Sequence, residues 1–579
     1  MRYSGRVMHA HQSPLAFLEP LARGWRAPAV IVALMLCAVL PGVFAMPPLD
    51  RDESRFAQAT TQMFETGDFV RISFQDEPRH KKPVGIHWLQ ALSVGATGGP
   101  EARAIWAFRL PSIAGALLAA LGVFWIGARL ANRQVGLLAG AALGVSVLLS
   151  TEAGIAKTDA TLCGLITLAF AGLAGLRTGA GRGAAFAFWI GLAGSILVKG
   201  PIGPLVIGLA LLALAAWERR ADWMRPLLYP PAALLGLAIV LPWMIAIGIA
   251  TNGAFFIEAI TQDLAPKVAG GHEDHGGPPG YHLALVAINA WPGALILPAG
   301  AILAWRFHAE PAVRFLVAWA VPGWLLFEFA PTKLFHYALP LYPALFLLGA
   351  CALDRGLGQS RAARAAALAL LGFGSLIIAA LAPVVASQYA GSMAIGAATA
   401  ALAGSLALGA MVQFGRQRVG AALCLAAAAG VGFSALAKGA AIPSSQDLMV
   451  SPRVAAALAK AGLAGGPAST IVGAGYSEPS LIFLTRTNTE LTTPDRAAAL
   501  TSAGGAAIVD QAQMAAFRAG LAARALQAEE VDRVAGLNYS RGDPVDLRIL
   551  RIEPCPLPCA APAATPGAPG STAPLSRIR

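Results

Sequence analysis

Charge is what this chain has little of. Only 13% of its 579 residues are Asp, Glu, Lys or Arg, against roughly 25% in globular proteins, which argues against an ordinary soluble enzyme. Cysteine is scarce as well, six in all, with no spacing that reads as a metal site. Cys37, Cys163, Cys351 and Cys424 lie in apolar runs, where a free thiol acts as a small hydrophobe. Cys555 and Cys559 bracket Pro-Leu-Pro and could pair if that stretch lies in an oxidising compartment. No Gly-rich nucleotide loop or dinucleotide fingerprint occurs, so a soluble nucleotide has no evident seat.

Apolar residues fill the space left by charge. They make up 56% of the chain, and the mean hydropathy is +0.62. The 63 Gly and 40 Pro suit bent membrane helices better than disorder. The first apolar run, 27–46, follows Arg2, Arg6, Arg23 and Arg26 and reads as a retained first helix rather than a cleaved leader. Further spans are expected near 104–128, 135–150, 159–176, 184–198, 201–217, 227–250, 282–305, 315–330, 339–353, 365–387, 392–411 and 420–440. The stretch 84–97, which holds His87, Trp88 and Gln90, is too short to span and reads as an interfacial helix.

The formal charge of +12 invites a nucleic-acid reading. Its placement gives another. With the amino terminus inside, Arg129/Arg133, Arg177/Arg182, Arg219/Arg220/Arg225, Arg306/Arg314, Arg355/Arg361/Arg364 and Arg416/Arg418 all fall in loops on one side, as the positive-inside rule requires. The charge is then mostly a topology signal. Of 8 lysines against 35 arginines, Lys81, Lys82, Lys157, Lys199, Lys267, Lys333 and Lys438 lie in or beside the loops of the opposite face. Past 441 the composition changes. Strands are expected over 468–484, 506–510 and 545–552 and a helix over 511–528, which together suggest a small α/β domain. The Pro/Ala-rich tail beyond 553 reads as disordered.

The chemistry-bearing groups gather on that opposite face. Asp50-Arg51-Asp52-Glu53-Ser54-Arg55 follows the first span; an acidic helix cap accounts for Asp52 or Glu53 but not for the rest of the loop. Asp76-Glu77-Pro78-Arg79-His80-Lys81-Lys82-Pro83 suits an anionic phosphate headgroup. Glu152 to Asp159 brings a second acidic stretch to a helix start, and Lys199-Gly200-Pro201 and Lys333-Leu334-Phe335-His336-Tyr337 interrupt apolar runs. Ionisable groups at such depth are functional candidates by default. The loop 267–281 ends on Tyr281 and carries His272, Glu273, Asp274 and His275, a His-x-x-His with carboxylates that could bind a divalent metal. Carboxylates can take a proton or stabilise an oxocarbenium-like transition state, while Lys and Arg can hold a leaving phosphate. The set therefore points to transfer chemistry on a phosphorylated lipid.

At these residues the sequence resembles the GT-C superfamily of membrane glycosyltransferases, most of all the branch of the bacterial lipid A aminoarabinose transferase, with protein O-mannosyltransferases as more distant relatives. The features that carry the likeness are Asp52-Glu53-x-Arg55-Phe56, Lys82-Pro83, Asp159, Lys199-Gly200-Pro201 and Lys333-x-x-His336-Tyr337-x-x-Pro340. Gly475-Tyr476-Ser477-Glu478-Pro479-Ser480 and Leu537-Asn538-Tyr539-Ser540 add to it. The resemblance implies an all-α polytopic membrane protein with about 13 transmembrane helices over 1–440, a small periplasmic α/β domain over 441–553 and a tail from 554. It also implies inverting transfer of a sugar from a polyprenyl phosphate to lipid A or another envelope glycan, at the periplasmic face of the bacterial inner membrane. Asp52, with Asp159 and Glu53, would be catalytic; Arg55, Lys81, Lys82, Lys199 and Lys333 would hold the donor phosphate. Glu77, His336, Tyr337 and Tyr281 would line the cavity. Where aminoarabinose transferases carry an acidic residue before Lys-Pro, this chain has Lys81, which leaves His275 and Glu77 as the metal candidates. A lipid-linked sugar transporter or flippase, and a protein O-glycosylating enzyme, are the competing readings.

Overall fold

Backbone groups in hydrocarbon must be satisfied within their own segment, and the apolar runs accordingly fold as helices. The computed structural model describes residues 13–266, 276–464 and 470–555. In chain order the principal helices are α1 (Arg26–Ala45), α2 (Asp52–Thr66), α3 (Gly85–Ala96), α4 (Ile105–Leu130), α5 (Arg133–Gly144) and α6 (Val147–Glu152). Next come α7 (Asp159–Arg177), α8 (Arg182–Lys199), α9 (Ile202–Glu218), α10 (Pro230–Ala250), α11 (Tyr281–Asn289) and α12 (Leu297–Arg306). The set closes with α13 (Pro311–Phe329), α14 (Tyr342–Asp354), α15 (Arg361–Gln388), α16 (Met393–Gly415) and α17 (Val419–Leu436). Among the described residues nine helices are long and apolar enough to cross a membrane: α1, α4, α7, α8, α10, α13, α15, α16 and α17 continued to Ala441. This is a multi-pass membrane protein.

Four expected spans take other forms. The run 135–150 is two helices, because Ser146 restarts the chain at α6 by accepting a hydrogen bond from the Leu149 amide. The run 282–305 breaks at Trp291-Pro292, and α11 meets the Gly293–Arg306 segment at 114°. The other two, α9 and Leu339–Asp354, are apolar but shorter than the nine. All four nevertheless join the same two ends of the bundle. At one end Arg133 donates to the Ala22 and Gly24 carbonyls, Glu218 pairs with Arg177 and Arg314, Arg355 pairs with Glu310, and Asp354 accepts from Ser13 and Asn132. At the other end lie Asp52, Glu152, Lys199 and the turn 331–338.

Close helix packing fixes that second end. α4 crosses α7 where a Cβ on Gly164 would overlap the Gly115 backbone and a Cβ on Gly115 would overlap the backbone of Ala160 and Thr161. Gly85, at the start of α3, likewise lies against the Leu197 backbone of α8, so the Lys82-Pro83 turn reaches Lys199-Gly200. α3 keeps Trp88 and Leu92 exposed on one face and buries His87 and Gln90 on the other.

The chain divides into two compact units, Met1–Met449 and Val450–Arg579. The second is built on a five-stranded sheet of order β4-β3-β5-β7-β6, following a short hairpin, β1 (Ser73–Phe74) and β2 (Glu77–Pro78), in the first unit. Here β3 (Ile471–Ala474) runs parallel to β4 (Glu490–Thr492) and to β5 (Ala506–Asp510). The long pair β6 (Leu526–Asn538) and β7 (Asp543–Pro554) is antiparallel. The expected strand 468–484 ends at Ala474, because Pro479 opens a helix to Leu484.

Candidate active site

The site starts from one buried ion pair. Glu53 and Arg109 are fully buried against each other at 2.8 Å. The Arg109 guanidinium uses all five of its donors: two on Glu53, and one each on the carbonyls of Val43, Met46 and Pro47, where α1 ends. Glu53 also accepts from the amides of Leu49 and Ala156. One carboxylate thus fastens the start of α2 to the loop 153–158. The same loop is held by Ser112, which donates to the Ile155 and Lys157 carbonyls, and by Gln90, which donates to the Ala156 carbonyl.

This frame presents Asp52 as the first residue of α2, where the helix dipole favours a negative charge. The preceding Arg51 holds φ at +61°, a positive value unusual for a side chain of that size. Asp52 sits in a crevice. Water reaches 65% of its side chain, while the Arg79 guanidinium lies 3.7 Å away and is stacked over the Phe56 ring. Partial burial works against ionisation, but Arg79, Lys157, Arg55 and Lys82 outweigh it and hold the carboxyl below the usual carboxylate range. The distant Lys82 and Lys157 therefore share one electrostatic neighbourhood with Asp52.

Behind Asp52 lies a second charge cluster. Lys157 bridges Glu152 at 2.9 Å and Asp159 at 3.6 Å. Lys199 donates to the other Asp159 oxygen and rests over the Tyr337 ring. The His336 ring completes the group, 3.9 Å from Glu152 and 3.7 Å from Asp159. Burial acts against the Lys157 ammonium, but Glu152 and Asp159 reverse that effect and hold its affinity for the proton above that of an ordinary lysine. Burial also pushes His336 down to about 3, with Asp159 opposing and Lys157 and Lys199 adding to the shift. The imidazole is neutral at physiological pH.

The structure places the other sequence candidates elsewhere. Glu53 lies inside the frame, its oxygens committed to Arg109 and two amides. Lys333 is buried and donates to the carbonyls of Gly277 and Ala330, contacts that tie the turn 331–338 to the segment before α11. Glu77 is exposed on the β1–β2 hairpin, and Tyr281 packs against His282. Lys81 is half-buried in the segment leading to Lys82. His275 and the rest of 267–275 lie outside the described residues, as does Cys559. Among the described residues no three His, Cys, Asp or Glu side chains gather as a metal would require.

The sequence reading gives no role to Arg79, Lys157, Glu152 or Arg109. The first three stand inside stretches singled out there. Arg109 is one charge within a long apolar run, which is itself a signal.

Comparison with known proteins fits this geometry. The family model described as dolichyl-phosphate-mannose-protein mannosyltransferase matches residues 81–245. The crystal structure of ArnT from Cupriavidus metallidurans bound to undecaprenyl phosphate superposes with a TM-score of 0.74, covering 93% of this chain and 99% of that one at 20% identity. The fold is the GT-C fold of ArnT. The apo ArnT structure from the same organism gives a TM-score of 0.71. Among curated sequences, the undecaprenyl phosphate-alpha-4-amino-4-deoxy-L-arabinose arabinosyl transferase of Pseudomonas aeruginosa is 29% identical over 355 residues, 59% of this chain and 63% of that protein. Its counterpart in Edwardsiella ictaluri is 27% identical over 348 residues, 58% of this chain and 60% of that protein. The chain thus matches somewhat under two thirds of the length of these ArnT-like relatives.

Proposed function

We propose that this chain is an inverting glycosyltransferase that moves a sugar from a polyprenyl-phosphate donor to lipid A or a related envelope glycan at the periplasmic face of the inner membrane. The arabinose derivative in the curated relatives' names is the first candidate sugar. The observation that carries the reading is an ionised, water-accessible Asp52 among Arg79, Arg55, Lys82 and Lys157, set in the fold of ArnT. In the reaction an acceptor oxygen attacks the anomeric carbon from the face opposite the phosphate. The bond from that carbon to the phosphate oxygen breaks, and the polyprenyl phosphate leaves with the electron pair. The cations around Asp52 offset the charge that develops on the leaving group, and the Asp52 carboxylate faces the oxocarbenium-like centre.

The acceptor follows from basicity. A carboxylate held ionised by several cations is a weak base, so it suits an acceptor that is already anionic, such as a phosphate group of lipid A. A hydroxyl acceptor would instead require Asp52 to take its proton. The cluster behind, Glu152, Lys157, Asp159, Lys199 and His336, holds the loop and fixes where positive charge meets the donor. The test is transfer by purified protein in detergent, with a polyprenyl-phosphate sugar and lipid A, read by mass spectrometry. Product formation without a sealed membrane supports an enzyme, whereas activity seen only across an intact bilayer would favour the transporter. A product found only on protein would favour the O-glycosylating reading.

A further inference from the structure

At the end of the bundle remote from Asp52, α1, α5, α16 and α17 leave an apolar cavity of about 660 Å³, within the roughly 300–1,000 Å³ of small-molecule sites. Small side chains make the room. Ala33 and Cys37 on α1 and Cys424 and Ala428 on α17 all line it, each pair one helical turn apart, and all four stay exposed. Along α17 the lining runs from Leu423 to Gly432, a rise of about 14 Å. That is about one leaflet of a hydrocarbon core ~30 Å thick.

The mouth is marked by charge. Phe17, which borders the cavity, lies against Gly420; just before it in the chain, Arg416 and Arg418 are both exposed. An apolar recess one leaflet deep with cations at its outer end has the dimensions of a phospholipid anchored by its headgroup. A polyprenyl chain bringing its phosphate to Asp52 would need the opposite polarity, with the cations at the other end.

We propose that this cavity holds an acyl chain of an anionic glycerophospholipid from the leaflet remote from Asp52, with its phosphate at Arg416 and Arg418. The assignment requires only that the first unit span a bilayer, so it stands or falls separately from the transfer chemistry. The test titrates detergent-purified full-length protein with phosphatidylglycerol or phosphatidylcholine and counts retained lipids by native mass spectrometry. The expected result is one tightly held phosphatidylglycerol, preferred by about 10- to 30-fold, as two surface arginines supply. Ala428→Phe, which fills the recess, should lose retention of both lipids. Arg416→Gln with Arg418→Gln, on the exposed turn where folding is not at stake, should lose only the preference. Equal retention by the wild type and Ala428→Phe would overturn the cavity assignment. Equal retention of the two headgroups by the wild type would overturn the arginine contact. Undecaprenyl phosphate held there instead, and displaced by Ala428→Phe, would overturn the choice of lipid.

Discussion

Two side chains set the expected pH response. Asp52 is held ionised by its cationic neighbours, so its charge persists above the ordinary carboxylate pKa and is lost only as the pH falls below it. His336 titrates near 3 and stays neutral through the physiological range. The pH profile of kcat/KM should therefore show no inflection from either group between about pH 5 and 8. An acidic limb in that range that vanishes in His336→Gln would contradict the neutral imidazole. Asp52→Asn should lower kcat by at least about a hundredfold with an unchanged melting temperature, measured on protein of equal monodispersity. The likeness of the Asp52 stretch, Lys82-Pro83, Lys199-Gly200-Pro201 and Asp159 to a known family makes these positions legible in the sequence. The roles of Glu53 and Lys333 are not, because a string of residues shows where a charge stands and not what it binds. Glu53 and Asp52 are adjacent yet face opposite environments, since successive residues of a helix point about 100° apart.

At the scale of elements, the Arg109–Glu53 pair is a joint among α1, α2 and the loop 153–158. Removing one partner leaves a buried charge unmatched, which costs about 3–5 kcal/mol. Glu53→Gln and Arg109→Met should each lower the melting temperature in detergent and the yield of folded protein. The double variant Glu53→Leu/Arg109→Met should recover part of that loss. A normal melting temperature with lost activity in Glu53→Gln would instead restore a direct chemical role. Gly164→Leu should separate α4 from α7 and displace Asp159, seen as loss of activity along with loss of monodisperse protein. Long apolar helices such as α4 and α15 are plain from composition. The breaks at Ser146 and Trp291-Pro292 are hidden, because neither interrupts the apolar run. β6 is hidden for another reason. Glu529, Glu530, Asp532 and Arg533 give it the polarity of a surface segment, and only its pairing with β7 makes it an edge strand.

For the whole molecule, the decisive measurement is sidedness. Single cysteines at the exposed positions 52, 77 and 335, in a background freed of native thiols, should react with a membrane-impermeant maleimide from one side. Cysteines at 178, 220 and 416 should react only from the other. Labelling of 52 and 335 from opposite sides would dissolve the site. The ends of the first unit carry a further constraint. Arg26 opens α1 at the arginine-rich end, whereas Lys438 donates to the Ser150 carbonyl, two residues before Glu152, at the end that holds Asp52. A polypeptide that enters at one face and leaves at the opposite one must traverse the barrier an odd number of times. The nine long helices satisfy that parity; if the bent pair of α11 and Gly293–Arg306 crosses as a tenth, an odd number of the shorter runs α5–α6, α9 and α14 must cross with it, and the bilayer around them must thin to accommodate them.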